Sequence, residues 1–148
     1  MKRFALAVMA LGGLTLAAAS QTADAKKELG KLQGTWNVVA LEANGQKAPA
    51  ELIKNAKLVF KGDTYTFHSG DQVIEGMVSL DLTKTPKQID AKQLSGPGKG
   101  KTRKGIYQLE GDDLKLCLGQ AGGDVRPKTF ATAEGEPARL YVLKRAKP

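Results

Sequence analysis

The sequence predicts an all-β fold, a small antiparallel up-and-down barrel of about eight strands with one or two short helices. Turn signals rich in glycine recur at short intervals over residues 44–137, and the runs between them have the composition of strands. Two connections, at Gly62 and Gly111, are short enough to require antiparallel neighbours. From Ile74 to Leu82 every second residue is apolar or glycine, which is the period of a half-buried strand.

The individual elements follow from the same signals. Leu29 and Leu32, three residues apart, predict one helical turn over 26–33, and Pro49 suits the first position of a second short helix. Both helices are too short to be stable without tertiary packing. Strands are predicted at about 35–42, 57–61, 63–68, 72–82, 87–92, 104–109, 113–118 and 138–145.

The first 25 residues have the three parts of a secretory signal peptide. A basic start, "KR", precedes an apolar run over 4–19 and a small-residue site, "ADA", at 23–25. Cleavage is expected after Ala25, with a site after Ala19 as the alternative. The apolar run is shorter than the ~20 residues that span a bilayer, so no transmembrane anchor is expected in the mature form. We therefore expect an exported protein, periplasmic or extracellular.

The mature chain, residues 26–148, is predicted to form one domain. It carries 21 basic and 14 acidic side chains, and this excess of positive charge favours anionic partners. Cys117 is the single cysteine, which excludes an intramolecular disulfide. The domain must therefore be stabilised by packing.

The loop "SGPGKGKT", residues 95–102, superficially suggests a phosphate-binding loop. That motif needs a first glycine where this chain has Ser95, and a helix where "RKGIYQLEG" predicts a strand. No nucleotide or other cofactor is therefore predicted. Two interpretations stay open: a solvated connection, or a basic patch that contacts an anionic envelope component or protein. The patch would consist of Lys99, Lys101, Arg103 and Lys104. Export and the shortage of aromatic residues argue against nucleic acid.

The run from Gly34 to Trp36, a Gly-x-Trp motif after a helical turn, resembles the start of lipocalins and the wider calycin group. With "LQGTWNVV", "PKQID", "GPGKGKTRKGIYQLEGDDLKLCL", "RPKTF" and "LYVLKR", nearly all of residues 29–145 is similar to a lipocalin-like domain family abundant in planctomycete bacteria. The resemblance implies that Trp36 packs across the closed end of a barrel against Arg145, or alternatively Arg139. It implies no catalytic residues, because that family has no assigned function.

Two side chains are candidates for chemistry, His68 and Cys117. His68 is the only histidine, so a metal site would need carboxylates or Cys117 to complete it, and a polar surface position near a turn is expected instead. Cys117 shares a strand face with Lys115, but same-face neighbours are about 7 Å apart, so a buried, unreactive thiol is expected. The sequence predicts neither a metal site nor an enzyme.

Two functions are consistent with these observations. The first is an exported lipocalin-like binding module that holds a small apolar or amphipathic ligand in the barrel. The alternative is a structural or interaction module with a filled barrel, whose basic loop contacts an envelope component or another protein. A barrel of about eight strands can be filled or can hold one small ligand, and the fold alone does not decide between them.

Overall fold

The structure, a computed structural model, describes residues 14–147. Two helices and nine strands follow one another along the described chain. In chain order they are α1 (Leu14–Leu32), β1 (Gly34–Ala43), β2 (Gln46–Lys47), α2 (Ala50–Ile53), β3 (Lys57–Lys61), β4 (Thr64–Ser69), β5 (Gln72–Asp81), β6 (Lys87–Gln93), β7 (Thr102–Glu110), β8 (Asp113–Leu118) and β9 (Arg139–Arg145).

The strands form a closed antiparallel barrel. From β3 to β9 each strand pairs with the next, and β1 pairs with both β3 and β9. The barrel therefore has eight strands, while β2 adds a short hairpin arm to the end of β1. The predicted all-β barrel and its eight strands are confirmed, with bounds that shift by up to two residues. The two-residue strand β2 was not predicted, because a run of that length has no period.

Alternation along the strands separates an interior from an outer face. Leu114 and Leu116 of β8 and Val78 of β5 lie inside and are buried, as the sequence pattern predicts. In β1 the register shifts between Val38 and Ala40, so that Leu41 reaches the interior beyond the shift. Such a bulge bends the strand and changes which residues face inward.

Gly76 allows close packing inside the barrel. A methyl group at this position would overlap the Tyr65 ring and the carbonyl oxygen of Lys92. Any side chain here would push the aromatic ring away from β5. The glycine on the interior face of β5 therefore makes room for Tyr65.

The long connection 119–138 covers part of the outer face of the barrel. Ile106, Cys117 and Leu140 point outward from their strands, yet each is at most 8% exposed because this connection packs over them. Arg126 of the connection donates hydrogen bonds to the carbonyl oxygens of Ile89 and Gly105 and pairs with Asp90 at 2.7 Å. Cys117 is therefore buried, as expected, although it lies on the outer face of β8.

The two ends of the barrel differ, and we call them the base and the mouth. The base contains the end of α1 and the short turns at 62–63 and 111–112. The mouth carries the longer connections 44–56, 94–101 and 119–138 and the turn at 70–71.

The N-terminal helix is longer than the single turn predicted over 26–33. Of the predicted signal peptide, residues 1–13 lie outside the described residues, and residues 14–25 form the first part of α1. Both candidate cleavage sites therefore lie within this helix. Within residues 14–147, no helix combines the length and the apolar character needed to cross a membrane.

Candidate ligand-binding cavity

A cavity of about 230 Å³ lies inside the barrel and extends to the mouth. Its lining is mainly apolar, and it reaches the surface beside exposed residues such as Leu52 of α2 and Gln72 of β5. The deeper lining consists of buried side chains, which include Phe60, Val78, Ile89, Leu116 and Leu143. The cavity is larger than the roughly 150 Å³ apolar cavity known to accept benzene.

Aromatic rings border the upper part of this cavity. Phe67 and Tyr141 meet edge to face, with ring centroids 5.9 Å apart and planes at 77°. This is a favourable arrangement for aromatic rings. Tyr65 lies on the same strand as Phe67, two residues away on the interior face. Burial raises the pKa of Tyr65, an effect that the charge of Arg103 opposes.

Two arginines are the charged groups of the lining. Arg103 belongs to β7 and donates a hydrogen bond from Nη1 to the carbonyl oxygen of Gly119, 3.1 Å away. Arg139 begins β9 and is exposed at the rim. Leu118 of the intervening strand pairs with both Gly105 and Arg139, so the two guanidinium groups originate from the same end of the barrel.

The basic loop does not form one patch. Lys99 and Lys101 are exposed in the connection 94–101, and β7 begins at Thr102 where a phosphate loop would require a helix. Arg103 faces the cavity, whereas Lys104, the next residue on the strand, faces outward. The four basic residues that are adjacent in sequence are therefore divided among the loop, the cavity and the outer surface.

The polar groups of this loop bond largely within the loop itself. The amide of Gly100 donates to the carbonyl oxygen of Gln93 at 2.7 Å, and Gly98 lies against the side-chain amide of Gln93. The Gln93 side chain donates to the carbonyl oxygen of Ser95 at 2.8 Å. These contacts make the segment a folded connection rather than a cradle for phosphate.

At the base, Arg145 stacks on Trp36. The guanidinium carbon lies 4.3 Å from the ring centroid, and Trp36 is fully buried. The alternative partner, Arg139, lies at the opposite end of β9. The structure therefore brings together the pair that the resemblance implies as first choice.

Arg145 also binds the end of α1. It donates to the carbonyl oxygens of Lys31 and Gln33 at 2.7 and 2.8 Å, and its Nε contacts Asp112 at 3.1 Å. A cation is favourable there because unpaired carbonyl groups give the C-terminal end of a helix a partial negative charge. Trp36 Nε1 donates to the carbonyl oxygen of Leu32, 2.8 Å away.

A buried carboxylate, which the sequence analysis did not single out, adds to the base. Glu28 of α1 is 5% exposed, pairs with Lys87 at 3.0 Å and accepts a hydrogen bond from the Tyr107 hydroxyl at 3.2 Å. Burial opposes ionisation of Glu28, but the hydrogen bond and charge of Lys87, with help from Lys31, lower its pKa. Burial, and then the Glu28 charge, raise the pKa of Tyr107 far above its ordinary value.

The remaining candidates for chemistry lie apart from the cavity. His68 is half-buried on the outer face of β4, beside the turn at 70–71. Cys117 is fully buried under the connection 119–138, and burial raises the pKa of its thiol. Within the described part of the chain, no group of three or more His, Cys, Asp or Glu residues is arranged to hold a metal ion.

Sequence reasoning missed Tyr65 and Tyr141 as cavity residues and considered Arg139 only as a partner for Trp36. The signal was present in β9, where Arg139, Tyr141 and Leu143 alternate on one face. That pattern identifies interior positions only when the strand is known to belong to a closed barrel.

The fold and the site define a class of protein: a small all-β barrel with one closed end and an internal, mainly apolar cavity. Searches against protein-family models, curated proteins and solved structures found no match to this chain.

Proposed function

We propose that this chain is an exported lipocalin-like binding module that holds a small apolar or amphipathic molecule in its barrel. The observation that carries this proposal is the cavity of about 230 Å³ at the mouth. An apolar, concave site with a few polar groups is the usual form of a small-molecule site. The volume is below that of typical drug-sized sites, so the proposed ligand is small.

The same cavity argues against a barrel filled with its own side chains. The alternative also needs the basic loop to act as one surface, but Arg103 faces the cavity while Lys104 faces outward. These two observations favour the binding module over the interaction module. We retain it as the outcome to be expected if no small molecule binds.

Export is part of the proposal, and its support is the three-part N-terminal sequence. Cleavage after Ala25 would remove the first part of α1 but would leave Glu28 and Leu32, which are buried against the barrel. Mass measurement of the protein recovered from the periplasm or the medium should give a chain that begins at Lys26. A full-length chain retained in the cytoplasm would contradict export without affecting the cavity.

Native mass spectrometry, with octan-1-ol as an added neutral probe, tests the binding function. The wild-type protein should retain octan-1-ol or a co-purified molecule of low mass. Ala91→Phe should abolish this binding, because Ala91 is buried in the lining and the larger ring occupies part of the cavity. Ala133→Phe, the same change at an exposed position of the connection 119–138, should bind as the wild type does.

Circular dichroism would show that Ala91→Phe keeps the barrel, since a side chain added to an open cavity need not overpack it. Absence of any bound molecule in the wild-type protein, both as purified and with octan-1-ol, would refute the binding function. Equal binding by Ala91→Phe and the wild type would place the ligand outside the barrel and would also refute it.

A further inference from the structure

The charges of the cavity have one sign. Its lining contains two arginines, Arg103 and Arg139, and no aspartate or glutamate. Both arginines lie at the mouth end of their strands. Leu118 of β8 pairs with Arg139 and with Gly105, which is two residues after Arg103 in β7. The deeper lining is apolar, so the cavity has a positively charged rim above a hydrocarbon-like interior.

The partners of the arginines divide them into two groups. Arg126 pairs with Asp90 at 2.7 Å, and Arg145 pairs with Asp112 at 3.1 Å. Among residues 14–147, neither Arg103 nor Arg139 forms a salt bridge with a carboxylate. The two arginines that line the cavity therefore differ from the two that stabilise the fold.

The side chains at this rim have N–H and O–H donors that are not used in the hydrogen bonds described above. Arg103 directs Nη1 to the carbonyl oxygen of Gly119, but a guanidinium carries five N–H donors. Tyr65 and Tyr141 also line the cavity, and a tyrosine hydroxyl group can donate a hydrogen bond. A guanidinium group matches the geometry of a carboxylate and can bind it through two parallel hydrogen bonds.

We propose that the cavity selects a short-chain amphipathic anion, with a carboxylate bound by Arg103 and Arg139 at the mouth and a hydrocarbon chain in the apolar interior. This inference rests on the proposed binding function and adds to it the charge of the ligand. The cavity volume favours a chain of about eight carbons over a long-chain lipid, since it only moderately exceeds the cavity that accepts benzene.

The experiment compares three probes of the same chain length: octanoate, octan-1-ol and octylammonium. Isothermal titration calorimetry of the wild-type protein should show octanoate binding about tenfold more tightly than octan-1-ol. Hydrogen bonds to charged groups contribute enough binding free energy for a tenfold or larger difference in affinity. Octylammonium should bind more weakly than the alcohol, since its charge has the same sign as the rim.

Two variants assign the effect to the arginines. Arg103→Gln and Arg139→Gln should each weaken octanoate binding about tenfold and leave octan-1-ol binding within about twofold. Lys115→Gln is the matched control: it removes one positive charge from an exposed, outward position of β8 and should change neither affinity. Arg139→Gln is informative even if Arg103→Gln disturbs the contact with Gly119, because Arg139 lies at the exposed rim.

The outcomes separate the two proposals. Equal binding of octanoate and octan-1-ol by the wild-type protein, or an equal loss of both in the arginine variants, would overturn the selectivity for anions and leave the cavity function intact. Failure of all three probes to bind, together with the absence of a co-purified molecule, would overturn both.

Discussion

The base and the mouth of the barrel are built from different kinds of contacts. At the base, Trp36 and Glu28 are buried, and Arg145 binds the end of α1, the Trp36 ring and Asp112 at once. At the mouth, the connections are longer, and Arg139 is exposed without a carboxylate partner among the described residues.

This difference indicates how one small barrel can combine stability with a site. Fully bonded, buried groups at one end contribute to the free energy of unfolding, while groups at the other end keep hydrogen-bonding capacity that a ligand can use. Binding residues are commonly placed on loops that a rigid scaffold positions. Substitutions at the base should therefore change stability, and those at the mouth should change binding.

The largest effect is expected for Trp36→Ala. Removing a fully buried aromatic side chain should lower the free energy of unfolding by about 3–5 kcal/mol. Phe67→Ala, at a half-buried position that borders the cavity, should lower the free energy of unfolding by about 1–2 kcal/mol. The loss is smaller because folding removes less apolar surface of Phe67 from contact with water. Urea unfolding of both variants measures the contrast, and an equal loss would show that the base has no special role in stability.

A smaller effect is expected for Arg145→Lys. Lysine keeps the charge but cannot reach two carbonyl oxygens with one planar group, so the free energy of unfolding should fall by about 1–3 kcal/mol. Arg139→Lys is the matched change at the other end of β9 and should stay within about 0.5 kcal/mol of the wild type. Thermal unfolding of the two variants is the measurement; a larger loss for Arg139→Lys would reverse the comparison.

Glu28→Gln should change how stability depends on pH. Because folding lowers the pKa of Glu28, its charge stabilises the protein above the ordinary carboxyl value of about 4.3, and this contribution is lost as the pH falls through the lower folded value. The variant should lose about 1 kcal/mol at neutral pH and show a shallower decline in acid.

The control for that experiment is Tyr107→Phe, which removes one hydrogen bond but leaves Lys87 and Lys31 beside the carboxylate. It should keep most of the wild-type decline. Urea unfolding between pH 7 and pH 3 measures both variants, and identical slopes for Glu28→Gln and the wild type would contradict the ion-pair explanation.

The smallest effect, and the one expected stabilisation, is at Gly30→Ala. Gly30 lies in α1, and a methyl group there would contact nothing within 4 Å, so the variant should gain about 0.5–1 kcal/mol from helix propensity. Gly76→Ala should have the opposite sign, because its methyl group would overlap Tyr65 and a backbone carbonyl. Thermal unfolding of the pair checks both signs.

Much of the barrel could be predicted because its signals are local. Glycine-rich turns and the two-residue period depend on neighbours in sequence, and they predict eight strands close to their observed bounds. The stacking of Arg145 on Trp36 could be anticipated only through the resemblance to lipocalins, since nothing in the spacing of two residues 109 positions apart predicts it.

The site was harder to predict, because it depends on which face of a strand each residue occupies. Arg103 and Lys104 belong to one run of positive charge in the sequence, but consecutive strand residues face opposite sides of the sheet. Glu28 gave no signal, because a glutamate near the end of a helix is ordinary until a lysine 59 residues away approaches it. Cys117 was expected to be buried, but the connection 119–138 that buries it had no recognisable pattern.

By itself, the sequence determined the strand segments, their antiparallel order and the side of each strand that is apolar, because turn geometry and side-chain alternation act over a few residues. Only the tertiary structure decided that the interior is not filled and that Arg103 and Arg139 both line its mouth. Barrel closure brings distant strands together, and the space left between their side chains depends on all of them at once.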